Sequence, residues 1–217
     1  MAGEPVKLRE KAWEGYRQSV LTGELRPGQF ITQRELVAIT GFPLGAIREL
    51  VPRLEAEGLI RTAPQRGLQV PQADLKLVRN AFQFREFLEV AAVRYYARDH
   101  DPEVLARLKT EHEQILARHD AGETGNLMEE AEAVDLRLHE EIVDALDNEI
   151  VANAYRVNWI KIKLIRLAET RLYVPMIPQV IGEHLVIIAA LQARDEDGAA
   201  EAMRKHIETA RRRAVDF

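Results

Sequence analysis

Apolar residues recur at helical spacing along nearly the whole chain, and the exceptions cluster in one short stretch. Ile47, Leu50, Val51 and Leu54 share a face of the segment Leu44–Glu57, which predicts a helix ending at Gly58. Upstream, Thr32-Gln-Arg-Glu35 has the form of a capping box. It predicts a short helix over Gln33–Thr40, with Gly41 as its left-handed stop. Trp13, Tyr16 and Val20 predict an earlier helix over Lys7–Thr22. After Gly58 the pattern changes. Leu59–Ala63 and Leu68–Val70 flank Pro64-Gln-Arg-Gly67, which reads as a hairpin with Gly67 at its tip. Two short helices around a glycine turn, followed by a hairpin, make a winged helix-turn-helix. That arrangement can place its second helix in a DNA major groove.

Beyond Pro71 no segment alternates like a strand. Helical periodicity marks Leu75–Asp99, a helix from Pro102 to about Ala121, and one from Leu127 to Leu146. A fourth runs from Glu149 to about Arg171 and is apolar nearly all round, which predicts a central position in the bundle. Pro175 and Pro178 break the chain before a fifth helix, Gln179–Arg194, and a last one runs over Glu196–Ala214. The chain therefore reads as mainly α: a winged helix-turn-helix over residues 1–72 and an antiparallel bundle of about six helices over 73–217.

Charge sharpens this division. The chain carries a formal net charge of −5, but residues 1–72 hold ten Lys and Arg against eight Asp and Glu, while the remainder holds twenty against twenty-seven. A mildly basic reader attached to an acidic partner domain fits those numbers. Absence of cysteine excludes disulfides and thiolate metal sites and suits a reducing cytoplasm. The polar start Met1–Lys11 shows no signal peptide, and the longest apolar run, Leu185–Leu191, is too short to span a bilayer.

Thr22-Gly-Glu-Leu-Arg-Pro-Gly28, Gln33-Arg-Glu-Leu36, Ile47-Arg-Glu49, Leu54-Glu-Ala-Glu-Gly-Leu59, Arg66-Gly67 and Val70 keep fixed spacings over roughly Leu8–Val70. This pattern resembles the DNA-binding half of GntR-family transcription regulators. The resemblance implies binding to double-stranded operator DNA. It departs from the family at Pro43-Leu44, where the family usually has Ser-Arg. That change removes a side-chain cap worth ~1 kcal/mol and an arginine that in the family is a candidate for base contact. Pro52 sits inside the recognition helix and should kink it. DNA contact is expected from Arg48 on the recognition helix and Arg66 beside Gly67 at the wing. Arg34, with Thr32 and Gln33, should contribute from the start of the preceding helix.

The bundle segments carry candidate metal chemistry. Asp135 and His139 are spaced i, i+4 on a face continued by Ile142, Val143 and Leu146. His184 lies in the stripe Val180, Ile187, Ile188, Leu191, and His206 in the stripe Ala199, Ala202, Met203, Ala210. Three imidazoles and a carboxylate suit Zn, Ni, Mn or Fe(II), with open positions left for a ligand. An inward histidine is most often simply a hydrogen-bonded core residue. His112, between Leu108, Ile115 and Leu116, has the same pattern, and spacing alone does not separate it from the other three.

Arg85-x-x-x-Glu89, Asp135-x-x-x-His139, Asn148, Glu183-His184 and Arg204-Lys-His206 are similar to the effector domain of the FadR-like branch of the same family. The resemblance implies an all-helical (FCD-type) domain whose metal site, in many members, uses the positions matching Asp135, His139, His184 and His206. It also implies a small carboxylate effector on the metal rather than catalysis. Arg85 is a candidate partner for that anion because the family places an arginine there. Arg156 and Arg166 are candidates as cations on the most apolar helix, each with a snorkelling or ion-paired role as the alternative. Two half-sites call for a homodimer. The competing readings are a helical metal-dependent hydrolase and a dimeric scaffold with a degenerate DNA reader.

Overall fold

The structure is a computed structural model of the full chain, and it describes residues 4–168 and 174–215. Its elements run α1 (Glu4–Leu21), β1 (Phe30–Ile31), α2 (Gln33–Thr40), α3 (Leu44–Ala56), β2 (Arg61–Ala63), β3 (Gly67–Gln69) and α4 (Leu75–Arg98). They continue through α5 (Pro102–Asp120), α6 (Leu127–Asp144), α7 (Glu149–Ala168), a 3-10 turn (Val174–Met176), α8 (Ile177–Gln192) and α9 (Glu196–Arg213). The helix-rich architecture with a small wing agrees with the periodicity of the sequence. Arg171, the expected end of the fourth bundle helix, lies outside the described residues.

Local chemistry accounts for the reader's elements. Thr32 accepts from the Glu35 amide at 3.1 Å, and the Glu35 carboxylate accepts from the Thr32 amide at 2.6 Å, so the capping box is complete. Gly41 closes α2 at φ 74°. Pro43 caps α3 with no side-chain hydrogen bond, as its lack of a donor or acceptor requires. Pro52 stands on the exposed face of α3, and the helix continues through it to Ala56. Tyr16 donates to the Leu59 carbonyl at 2.7 Å and Trp13 to Glu57 at 2.7 Å, tying α1 to the end of α3.

The wing contains one strand more than the sequence suggested. β3 lies between β2 and β1, antiparallel to both, with Ala63 opposite Gly67 and Ile31 opposite Leu68. Gly67 is the first residue of β3 rather than the tip of the turn. Its φ is 87°, and a Cβ there would lie 2.7 Å from the Ile31 carbonyl oxygen. Glycine is needed because β1 passes so close.

The chain divides into two compact units. One comprises the chain up to Arg79 and the α7 segment from Arg156 onward. The other comprises Asn80–Tyr155 and the chain from Arg171 onward. This explains why α7 is apolar nearly all round. Its later part supplies Ile160 and Leu164 to the reader's core, with Tyr16, Ile47, Leu50, Leu54 and Leu59, while its first turns, through Tyr155, belong to the second unit. In the second unit Ile115, Leu127, Ala131, Val134, Ile177 and Ile181 form a buried cluster. Pro178 does not precede α8 but sits in its first turn, where the missing N–H has no intrahelical partner to lose. Among the described residues, no helix is long and apolar enough to cross a membrane.

Candidate functional site

The second unit gathers four buried potential ligands from three helices. Asp135 and His139 project from one face of α6, His184 from α8 and His206 from α9. One donor atom of each lies within 4.8 Å of the others. His184 Nε2 is 3.3 Å from Asp135 Oδ1 and 3.4 Å from His206 Nε2, and His139 Nε2 is 3.9 Å from Asp135 Oδ1.

The outward nitrogens explain why these atoms can bind a cation. His139 Nδ1 lies 2.7 Å from Glu89 Oε2, and His206 Nδ1 lies 2.8 Å from Glu183 Oε2. A carboxylate can only accept, so each Nδ1 carries the proton and each Nε2 presents a lone pair inward. His184 Nδ1 is turned to His112 Nε2 at 3.1 Å. Three imidazole nitrogens and a carboxylate oxygen thus converge, which is the donor set of a borderline divalent ion. Carboxylates behind the histidines are the usual support for metal ligation.

Burial keeps the rings of His184 and His206 neutral. Burial holds the His184 pKa down at about 4, against the opposing pull of Asp135. Burial and the neighbouring histidines depress His206 well below the ordinary value. Behind His139, Arg85 is wholly buried and binds Glu89 through two bonds, Nε to Oε1 at 2.6 Å and Nη2 to Oε2 at 3.1 Å. Burial alone would raise the Glu89 pKa, but Arg85 and then His139 outweigh it and bring it to about 2. Arg85 Nη2 also stands 3.2 Å from His139 Nε2, at the edge of the cluster. Arg213 holds Glu183 at 2.9 Å in the corresponding place behind His206.

Arg156 and Arg166 stand on α7. Both belong to the α7 segment that joins the reader unit, where Arg166 lies over the Trp159 ring at 5.1 Å from its centroid. Glu89, Glu183 and His112 are supporting residues that spacing did not assign a role. Their signal was an i, i+4 partner to Arg85, a neighbour to His184, and an unexplained inward histidine.

In the reader, Arg34, Arg48 and Arg66 are all exposed, and among the described residues none of them is ion-paired. Arg48 lies on the same outward side of α3 as Gly45 and Pro52. Arg66 rests over the Phe30 ring at 3.6 Å. Thr32 and Gly67 have clear local structural duties, and Gln33 opens α2.

A three-helix reader with a three-stranded wing, joined to an all-helical unit with a buried Asp-His cluster, defines a DNA-binding transcription regulator. Residues 8–70 match the gntR family of bacterial regulatory proteins, and residues 80–209 match the FCD domain. The chain belongs to the GntR family, with an FCD domain following its reader. It is 24% identical over 208 residues to the HTH-type transcriptional regulator BphR of Paraburkholderia xenovorans, covering 93% of this chain and 83% of that one. It is also 24% identical over 210 residues to the HTH-type transcriptional regulator McbR of Escherichia coli, covering 93% and 92%. The solved structure of E. coli McbR/YncC superposes with a TM-score of 0.77 at 19% identity, over 96% of this chain and 95% of that one. A GntR regulator from Rhodococcus sp. RHA1 gives 0.77 at 16%, over 97% and 98%. At these identities the structural matches establish the fold. The family and these relatives are regulators, not enzymes, which sets aside the hydrolase reading.

Proposed function

We propose that the protein is a cytoplasmic homodimer that binds double-stranded operator DNA, and that a small carboxylate effector bound at a divalent ion alters its operator affinity. Residues 1–72 read DNA, and residues 73–217 hold the ion and effector and support dimerisation. The observation that carries the metal reading is the outward engagement of every histidine Nδ1, which leaves three Nε2 atoms and Asp135 facing one another. Asp135, His139, His184 and His206 would hold the ion. It would supply a Lewis-acidic positive charge, and this donor set accommodates Zn, Ni, Mn or Fe(II).

Three neutral rings and one carboxylate leave a divalent site net positive, which favours an anion at open positions. Arg85 supports that preference as a second cation at the cluster edge, although Glu89 already engages it. On the reader, Arg48 would recognise bases and Arg34 and Arg66 phosphates, with Thr32, Gln33 and Gly67 shaping the backbone beside them. An effector acts on DNA affinity only through unequal binding to the competent and incompetent states. A coupling of ~1–3 kcal/mol corresponds to roughly a 5–150-fold change, and linkage makes it reciprocal.

The test is metal analysis of the wild type and His184→Ala after supplementation with Zn, Ni and Mn, followed by operator titration with small carboxylic acids. The wild type should carry about one equivalent and respond to an acid. The variant should lose both properties. A wild type that takes up none of these metals would make the four residues a polar core cluster.

A further inference from the structure

A further histidine of this unit, His112, is as buried as the ligands and is not one of them. His112, on α5, points Nδ1 at the Leu108 carbonyl one helical turn earlier, at 2.7 Å, and Nε2 at His184 Nδ1, at 3.1 Å. Its ring meets that of His184 edge-on, with centroids 5.2 Å apart and planes at 71°. A carbonyl oxygen has no proton to give, so His112 Nδ1 is the donor. A neutral imidazole has one N–H, which leaves His112 Nε2 as an acceptor. His184 Nδ1 then donates to it across 3.1 Å, a closer approach than the 3.3 Å between His184 Nε2 and the competing acceptor Asp135 Oδ1, and His184 Nε2 is left bare. That bare nitrogen is the one facing Asp135 Oδ1 and His206 Nε2.

We infer that His112 is a positioning residue that relays the hydrogen-bonding polarity of the Leu108 carbonyl to His184 and so fixes which His184 nitrogen faces the cluster. For its consequence in ion binding the inference rests on the metal reading; for the tautomer itself it does not. The relay differs in kind from the supports of the other two rings. His139 and His206 are backed by carboxylates, each compensated by an arginine. His184 is backed by a neutral ring. A third carboxylate in that place, with no arginine beside it, would add a negative charge behind the cluster and reduce its attraction for an anion. A neutral relay sets the tautomer without that cost.

The experiment uses the full-length protein with 15N-labelled histidine, stripped of metal at neutral pH. Two-bond proton–nitrogen correlations report each tautomer, and the His184 signals are identified by their disappearance in His184→Gln. In the wild type, His184 should be protonated at Nδ1 and bare at Nε2. His112→Phe retains an aromatic ring but removes the acceptor, so His184 should shift toward the opposite tautomer. The Zn²⁺ affinity of that variant, measured by chelator competition, should fall about 10–100-fold. His112→Gln restores an acceptor oxygen and should restore the tautomer and most of the affinity. Wild-type His184 protonated at Nε2 would overturn the inference even if no variant folds. So would a His112→Phe protein with an unchanged tautomer. If the wild type binds no Zn²⁺ yet shows the expected tautomer, the metal reading fails and the relay stands.

Discussion

The two units treat their arginines in opposite ways. Arg34, Arg48 and Arg66 of the reader are exposed and, among the described residues, not ion-paired. Arg85 of the helical unit is wholly buried and clamped by Glu89 through two bonds. The difference follows from where each unit finds its partner. A DNA reader leaves its cations for phosphates and bases to complete, so their charge matters little until DNA arrives. A buried centre must be compensated before anything binds, because an unpaired charge in a dry core is costly. Substitution separates the two situations most sharply. Glu89→Ala should strand Arg85 and destabilise the protein by about 3–5 kcal/mol in urea unfolding, whereas Arg34→Ala should stay within ~0.5 kcal/mol. Equal losses from the two changes would remove the distinction.

Acid should expose the same asymmetry. The His184 pKa is held by burial at about 4, below its ordinary 6.5, so between those values the unfolded chain binds a proton that the folded one refuses. Stability of the metal-free protein therefore rises with pH across that window and is lost as pH falls from 6.5 toward 4. His112 and His206, also lowered by burial, act in the same direction. Glu89 adds a second, lower window. Burial works against its ionisation, but Arg85 prevails and sets it at about 2. Its contribution is present above the unfolded 4.5 and is lost as pH falls from there toward about 2. Unfolding free energies of the metal-free protein, from urea titrations at pH 7.0, 5.5 and 4.5, should fall in that order, by up to about 3 kcal/mol in all. A flat series would show that the rings are not held neutral by their surroundings.

The two units also differ in how much of them could be read from the chain. The reader is written in short-range chemistry. Thr32 and Glu35 are three residues apart, Gly41 follows its helix directly, and the cap that Pro43 cannot make is visible from its identity alone. What escaped was β1, a strand of two residues with no period to detect, and with it the reason for Gly67, which lies in the carbonyl of Ile31 rather than in the turn. The cluster is long-range. Asp135 and His139 announce themselves at i, i+4, but their meeting with His184 and His206 depends on the packing of α6, α8 and α9. Family resemblance supplied what spacing could not. Continuous apolarity in α7 describes a helix serving two units as well as one at the centre of a single bundle. His112 shared the helical pattern of the true cluster members, and only its bond to the Leu108 carbonyl separates its duty from theirs.

Within the reader, the exposed arginines should divide by role. Arg48 stands on α3 where the flanking outward residues, Gly45 and Pro52, are short, so its side chain can reach a base edge. Arg48→Ala should cost ~1–3 kcal/mol of discrimination at one base pair, the scale of an arginine bidentate to guanine. Selection of binding sites from a random pool, performed on wild type and variant at one salt concentration, reads this directly. An unchanged preferred sequence and affinity would remove Arg48 from base recognition.

Arg66 should give the smaller and more uniform effect. Its guanidinium lies 3.6 Å from the centroid of the Phe30 ring, a cation–π contact worth about 0.5–1 kcal/mol at an exposed site. Phe30 is in turn held by β1 against β3, with Gln69 as its register partner. The wing therefore presents a cation whose direction is restrained, which reduces the ordering needed to meet a phosphate. A phosphate contact contributes through released counterions and carries no sequence information. Arg66→Ala should weaken binding to all sequences alike and reduce the slope of log K against log salt by about 1. Arg66→Lys keeps the charge, so its slope should stay near wild type while affinity falls only by what the planar stacking contributed. If Arg66→Ala instead changes the preferred base at one position and leaves the salt slope intact, Arg66 reads a base edge and the division between helix and wing is wrong.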